Sequence, residues 1–109
     1  MPASLVSRGN MVDYTPESDV TAGSVVVQGE LVGVANLDIP AGKLGALTVS
    51  GVFDFPKATG EITAGANVYW DAAEGEAGTD DDSGANKLIG KAVKTAASGD
   101  STVRVRLSQ

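Results

Sequence analysis

The residues in this chain best equipped for chemistry are carboxylates. Asp80-Asp81-Asp82-Ser83-Gly84 concentrates hard oxygen ligands in five positions. A calcium loop of the EF-hand kind needs carboxylates at alternating positions, Gly at the sixth and Glu at the twelfth. Counted from Asp80, Gly falls at the fifth position and Lys91 at the twelfth. The segment therefore reads as a solvated acidic loop that aids solubility. Phosphate binding fails a similar comparison. Gly84–Lys91 ends in Gly90-Lys91, but five residues separate the two glycines where a P-loop has four, and Ala92 stands where a Ser or Thr would hold magnesium. A P-loop also joins a strand to a helix, and no helix is expected here.

A pair of carboxylates can hydrolyse a glycoside. Asp54, Glu61 and Asp71 are the candidates outside the loop; Glu74 and Glu76 lie within it, a poor place for a preorganised acid. The chain has no His and no Cys. It therefore lacks the side chain best suited to proton transfer near neutral pH, thiol chemistry, and Cys-ligated zinc. No catalytic residue, cofactor or metal ligand is expected, and the chain reads as a non-enzyme. Tyr69-Trp70 offers a sugar-stacking platform, which makes a carbohydrate-binding module the alternative function. Core packing or a subunit contact is the favoured reading of the two rings.

The elements that position these residues are β-strands. At 109 residues the chain reads as one domain, burying roughly 65% of the surface its unfolded form exposes. Its 14 glycines and few aromatics favour short strands with many turns. One phrase recurs: Val20-Thr21-Ala22-Gly23, Ile39-Pro40-Ala41-Gly42 and Ile62-Thr63-Ala64-Gly65. Gly supplies the positive φ of a tight turn, and the leading β-branched residue can anchor that turn in the core. The spacings of 19 and 23 residues are too irregular for a solenoid. The phrases read as three similar corners of one β domain.

Strands are expected at Met11–Tyr14, Ser24–Gln28, Leu31–Asp38, Leu44–Phe55, Asn67–Asp71, Lys87–Thr95 and Thr102–Leu107. The last alternates most cleanly, with Val103, Val105 and Leu107 inward and Arg104 and Arg106 outward, and it pairs with the strand before it as a hairpin. Phe53 and Phe55 share one face, and Pro56 ends their strand because it cannot donate to the ladder. Tyr69 and Trp70 point to opposite faces, so one is core. Residues 74–86 read as a mobile surface loop. Residues 1–10, with Leu5, Val6 and Arg8, read as an extended arm preceding a single β domain over 11–109. The whole is all-β, a compact sandwich or barrel of about seven short strands.

The net charge of −6 and the lack of a Lys/Arg cluster argue against nucleic acid and membrane surfaces as partners. No signal peptide is visible in Met1–Asn10, so use without secretion is expected.

These segments, taken in order, carry a resemblance. The set runs from Val20-Thr21-Ala22-Gly23 through Val32-Gly33-Val34-Ala35, Asp38-Ile39-Pro40-Ala41-Gly42 and Gly51-Val52-Phe53-Asp54-Phe55-Pro56-Lys57. It continues with Ile62-Thr63-Ala64-Gly65, Val68-Tyr69-Trp70-Asp71, Ile89-Gly90-Lys91-Ala92 and Val103-Arg104-Val105-Arg106-Leu107. It resembles the DUF2190 family of small tailed-phage and prophage proteins, described as capsid cement or decoration proteins, over nearly the whole chain. A RecA-like label attached to some members finds no support here, since the P-loop fails and the surface is acidic. The resemblance implies a structural virion protein, made in the bacterial host cytoplasm. It would sit on the outside of the phage head, bind the major capsid protein, self-associate as a homotrimer and stabilise the shell. The candidate capsid or subunit contacts are Leu5, Val6, Arg8, Met11 and Tyr14 in the N-terminal stretch, Tyr69 and Trp70, and Arg104 and Arg106.

Overall fold

The computed structural model describes Ala3 and residues 9–108, and is all-β. Among the described residues nine strands form: β1 (Met11–Tyr14), β2 (Val25–Gln28), β3 (Leu31–Ala35), β4 (Gly45–Thr48), β5 (Gly51–Pro56), β6 (Asn67–Asp71), β7 (Glu76–Gly78), β8 (Lys87–Ala92) and β9 (Thr102–Leu107). They make two antiparallel sheets, ordered β1-β4-β3-β2 and β5-β9-β8-β6-β7.

Two strands exceed the expected seven. The run read as one strand over 44–55 is two, in different sheets. Between them the Val49 amide donates to the Asn10 carbonyl at 2.9 Å, in register with the β1–β4 pairing, and the Ser50 hydroxyl meets Asn10 Oδ1 at 3.1 Å. The segment read as a mobile loop over 74–86 contains β7 and a short 3-10 turn at Asp82–Gly84. Ala77 there is fully buried, opposite Trp70. Two expected strands are shorter than read: β3 stops at Ala35 and β8 at Ala92. The arm expected over 1–10 falls mostly outside the described residues, which include none of Leu5, Val6 and Arg8.

The chain divides into two units. The first takes the described residues up to Val26 and Gly33–Ser50; the second takes Val27–Val32 and the described residues from Gly51 on. The core of the first is Ala35, Ile39 and Leu47, with Val12, Tyr14, Val20, Val26 and Val49 packed against it. In the second, Phe55 is buried against Trp70, ring centroids 6.1 Å apart, and Phe53 meets Phe55 edge-on at 6.3 Å. The inward side chains of β9 are buried and the outward ones exposed, as strict period-2 alternation requires. Just after β5, Lys57 bridges to Ala77 and the Ala58 amide donates to the Ala77 carbonyl at 2.8 Å, so the second sheet closes on itself. The Lys57 stem is buried, and its ammonium donates to the carbonyls of Ala58 at 2.9 Å and Ser98 at 3.3 Å.

The two sheets share one plan. Strands β1, β4, β3 and β2 occupy the places of β5, β9, β8 and β6; β7 is the addition. The recurring corners explain this likeness. They work in pairs, joined by two-way amide–carbonyl bonds: Val20 with Ile39 at 2.9 and 2.8 Å, and Ile62 with Ala96 at 2.9 and 2.8 Å. Ala96-Ala97-Ser98-Gly99 is thus a fourth corner. Each turn closes through the amide three residues on, at 3.1 Å for Ser24 to Thr21 and 3.0 Å for Lys43 to Pro40, Ala66 to Thr63 and Asp100 to Ala97. Gly23 and Gly65, each at φ +89°, hold the third position of their turns, where a type II turn demands positive φ.

Candidate interaction surfaces

In the first unit, side chains that the core leaves out gather at one place. Met11 begins β1, Leu37 follows the end of β3, and Leu44 precedes β4. They are 47%, 77% and 72% exposed. Together with Ile39, Pro40 and Ala46 they line a groove of about 200 Å³. Most exposed apolar residues are scattered singly; three around one groove form a patch of the kind found at interaction sites. Tyr14, by contrast, packs onto the core of this unit.

In the second unit, strand register assembles a basic row that is absent from the linear sequence. Arg106 on β9 lies opposite Val52 on β5 and Lys91 on β8; Lys91 in turn lies opposite Asn67 on β6. Arg106, Lys91 and Val52 are exposed, the last by 54%. Like charges directly opposite each other on neighbouring strands are unfavourable. The Lys91 ammonium donates to Asn67 Oδ1 at 2.6 Å. Next along the same face, Arg104 grips Asp54 through Nε at 3.0 Å and a second nitrogen at 3.2 Å. That hydrogen bond holds the Asp54 carboxyl below its ordinary range; desolvation opposes it, and the charges of Arg104 and then Lys94 act in the same direction as the bond. The same bond raises the Arg104 guanidinium. Among the described residues two ion pairs form, Asp54–Arg104 and Glu30–Lys87. Neither includes Lys91, Lys94 or Arg106.

The acidic groups lie elsewhere in this unit. Asp71, Glu76, Asp80 and Asp82 line a cleft of about 390 Å³. Asp71 is already used locally, since its Oδ1 accepts the amides of Ala73 and Glu74 at 3.0 and 3.1 Å. Asp80 Oδ1 likewise accepts the Asp82 amide at 2.9 Å. Among the described residues no group of three or more His, Cys, Asp or Glu is arranged to hold a metal ion. Nor is any helix long and apolar enough to cross a membrane.

Of the aromatic pair, Trp70 is the buried member, 8% exposed against Phe55, while Tyr69 on the opposite face is half-buried. Trp70 therefore presents no ring face to a sugar or a partner, and the adjacent pair is not a stacking platform. Of the sequence-derived contacts among the described residues, Met11 lies at the apolar groove, Tyr14 against the first unit's core, Trp70 in the second unit's core with Tyr69 half-buried on the other face of β6, and Arg104 and Arg106 on the basic face. Leu37 and Leu44 were missed. Their exposure depends on the strands ending at Ala35 and starting at Gly45, and their apolar character alone suggests burial.

A model of the phage cement protein family matches the chain over residues 6–107. No curated protein and no solved structure matches it. The match spans nearly all of the 109 residues, so the chain belongs to the phage cement proteins, structural components of the virion capsid.

Proposed function

We propose that this phage cement protein binds the outer surface of a tailed-phage head, contacts the major capsid protein, and stabilises the assembled shell as a homotrimer. The observation that carries the reading is the family match, and the exposed Met11–Leu37–Leu44 groove supports it. A ligand that binds only the assembled shell stabilises it by mass action. A cyclic oligomer that bridges several capsid subunits gains avidity without new kinds of contact. The shell-facing surface is Met1–Tyr14 with the groove that Met11 opens. β1 is an edge strand of its sheet, so a strand of the shell can add beside it.

The test is co-sedimentation with undecorated heads of the parent phage, followed by heating with and without the protein. The expected result is saturable binding at a fixed ratio to the major capsid protein and a higher temperature of DNA release. Absence of binding to both immature and expanded heads overturns the proposal. Deletion of residues 1–9 tests the surface: unchanged head binding removes the arm from the contact.

A further inference from the structure

We propose that the outer face of β5, β9 and β8 is a docking surface for the acidic segment of a second copy of this chain. Arg106 and Lys91 stand opposite each other there, and neither forms an ion pair among the described residues; Lys94 lies further along, lining one pocket with Asp54 and Arg104. Two exposed valines, Val52 and Val93, flank the cations at 54% and 46% exposure. Arginine is enriched at interfaces relative to the rest of the protein surface. A like-charge pair left side by side costs stability in the free protein. An anionic partner relieves that cost on binding.

Charge identifies the occupant. Between residues 58 and 86 the chain carries seven carboxylates and no cation; between 87 and 106 it carries five cations and one carboxylate. Glu74, Asp80, Asp81 and Asp82 are exposed and make no ion pair among the described residues. They do not reach the basic face of their own chain, so a neighbour's face is their complement. The two surfaces are different patches, and each copy offers one of each. Such a contact can repeat head-to-tail, the arrangement that closes into a ring when the rotation permits. This rests on the self-association part of the proposed function and is independent of head binding.

Sedimentation equilibrium of the full chain at 50 and 500 mM NaCl tests it. Wild type is expected to associate reversibly at low salt and to weaken at least about tenfold at high salt, where screening is short-ranged. Lys91→Glu with Arg106→Glu is expected to be monomeric at low salt, and so is Glu74→Lys with Asp81→Lys. An equimolar mixture of the two variants is expected to associate again, because each restores the other's complement. Circular dichroism confirms that each variant is folded, and Lys91→Gln with Arg106→Gln replaces the reversal if it is not. A monomeric wild type, a salt-insensitive oligomer, or a mixture that stays monomeric overturns the inference. A monomeric variant that still binds heads leaves the cement function standing. An intact oligomer that binds no heads removes the head-binding proposal and leaves this interface standing.

Discussion

Asp19 and Asp38 each cap the turn that follows the other. Asp38 Oδ1 accepts the Ala22 amide at 2.7 Å, and Asp19 Oδ1 accepts the Ala41 amide at 2.8 Å. The exchange locks the Val20–Ile39 bridge from both sides. In the second pair of corners Thr95 Oγ1 does the work of Asp38, accepting the Ala64 amide at 3.0 Å.

Asp19→Ala and Asp38→Ala are each expected to lower stability by about 1 kcal/mol, the usual worth of a backbone amide capped by a side chain. Asn at either position keeps an acceptor oxygen and should cost less. Because the caps share one bridge, the two losses are expected to couple rather than add. Urea unfolding measures all of this, and unchanged midpoints in both Ala variants would show that the caps are idle.

Gly33 and Gly90 hold corresponding places, β3 in one sheet and β8 in the other, but their surroundings differ in stiffness. A Cβ on Gly90 would fall on the Arg106 carbonyl oxygen and lie 2.8 Å from the Ser108 nitrogen, both backbone. A Cβ on Gly33 would meet the Leu47 side chain at 2.9 Å and the Thr48 carbonyl oxygen at 3.3 Å. A side chain yields more readily than a paired strand. Gly90→Ala is expected to cost about 3 kcal/mol or more, or to prevent folding, and Gly33→Ala about 1–2 kcal/mol. Thermal denaturation gives the order, and equal losses would contradict this account.

The legible parts of the fold are those fixed by local chemistry. The period-2 pattern of Val103–Leu107 predicts its buried and exposed faces, and the recurring four-residue phrase marks three of the four corners. The pairing of those corners is a long-range fact. The fourth reads in the sequence as a turn over 97–100 and not as a further copy of the phrase, because Ala96 is not β-branched and Ser98 replaces the recurring Ala. β7 was illegible for a related reason: Glu76-Ala77-Gly78 has little strand propensity and is held by Trp70 and Ala58 from outside. The basic row is the clearest case among the surfaces. Lys91 and Arg106 are far apart in sequence, and only the β8–β9 register makes them neighbours.

Asp54 offers a pH signature. Its carboxyl is lowered by the Arg104 hydrogen bond, so it binds fewer protons folded than unfolded at a given acid pH. The stabilisation is complete above the unfolded value, about pH 4, and is lost as pH falls through the lowered folded value. Both side chains are about half exposed, so screening keeps the effect small and salt-sensitive. Carboxyl NMR titration of the folded protein should place Asp54 below an ordinary aspartate, and Arg104→Gln should return it towards that value. An unmoved titration in Arg104→Gln would assign the shift to another cause.

Leu37 and Leu44 separate the head-binding surface from the fold. Both are largely exposed, so replacing them with Ser removes few internal contacts. Leu37→Ser with Leu44→Ser is expected to shift stability by no more than about 0.5 kcal/mol per site. On the cement reading the same double variant should bind heads at least about tenfold more weakly, about 1.4 kcal/mol, because the shell no longer covers an apolar groove. Co-sedimentation with undecorated heads measures the loss, with deletion of residues 1–9 alongside. If the deletion abolishes binding and the double variant binds as wild type, the arm alone holds the shell and the groove has another role. If the double variant fails and the deletion binds normally, the contact lies in the first unit's groove, and β1 brings Met11 to it without help from the residues before it.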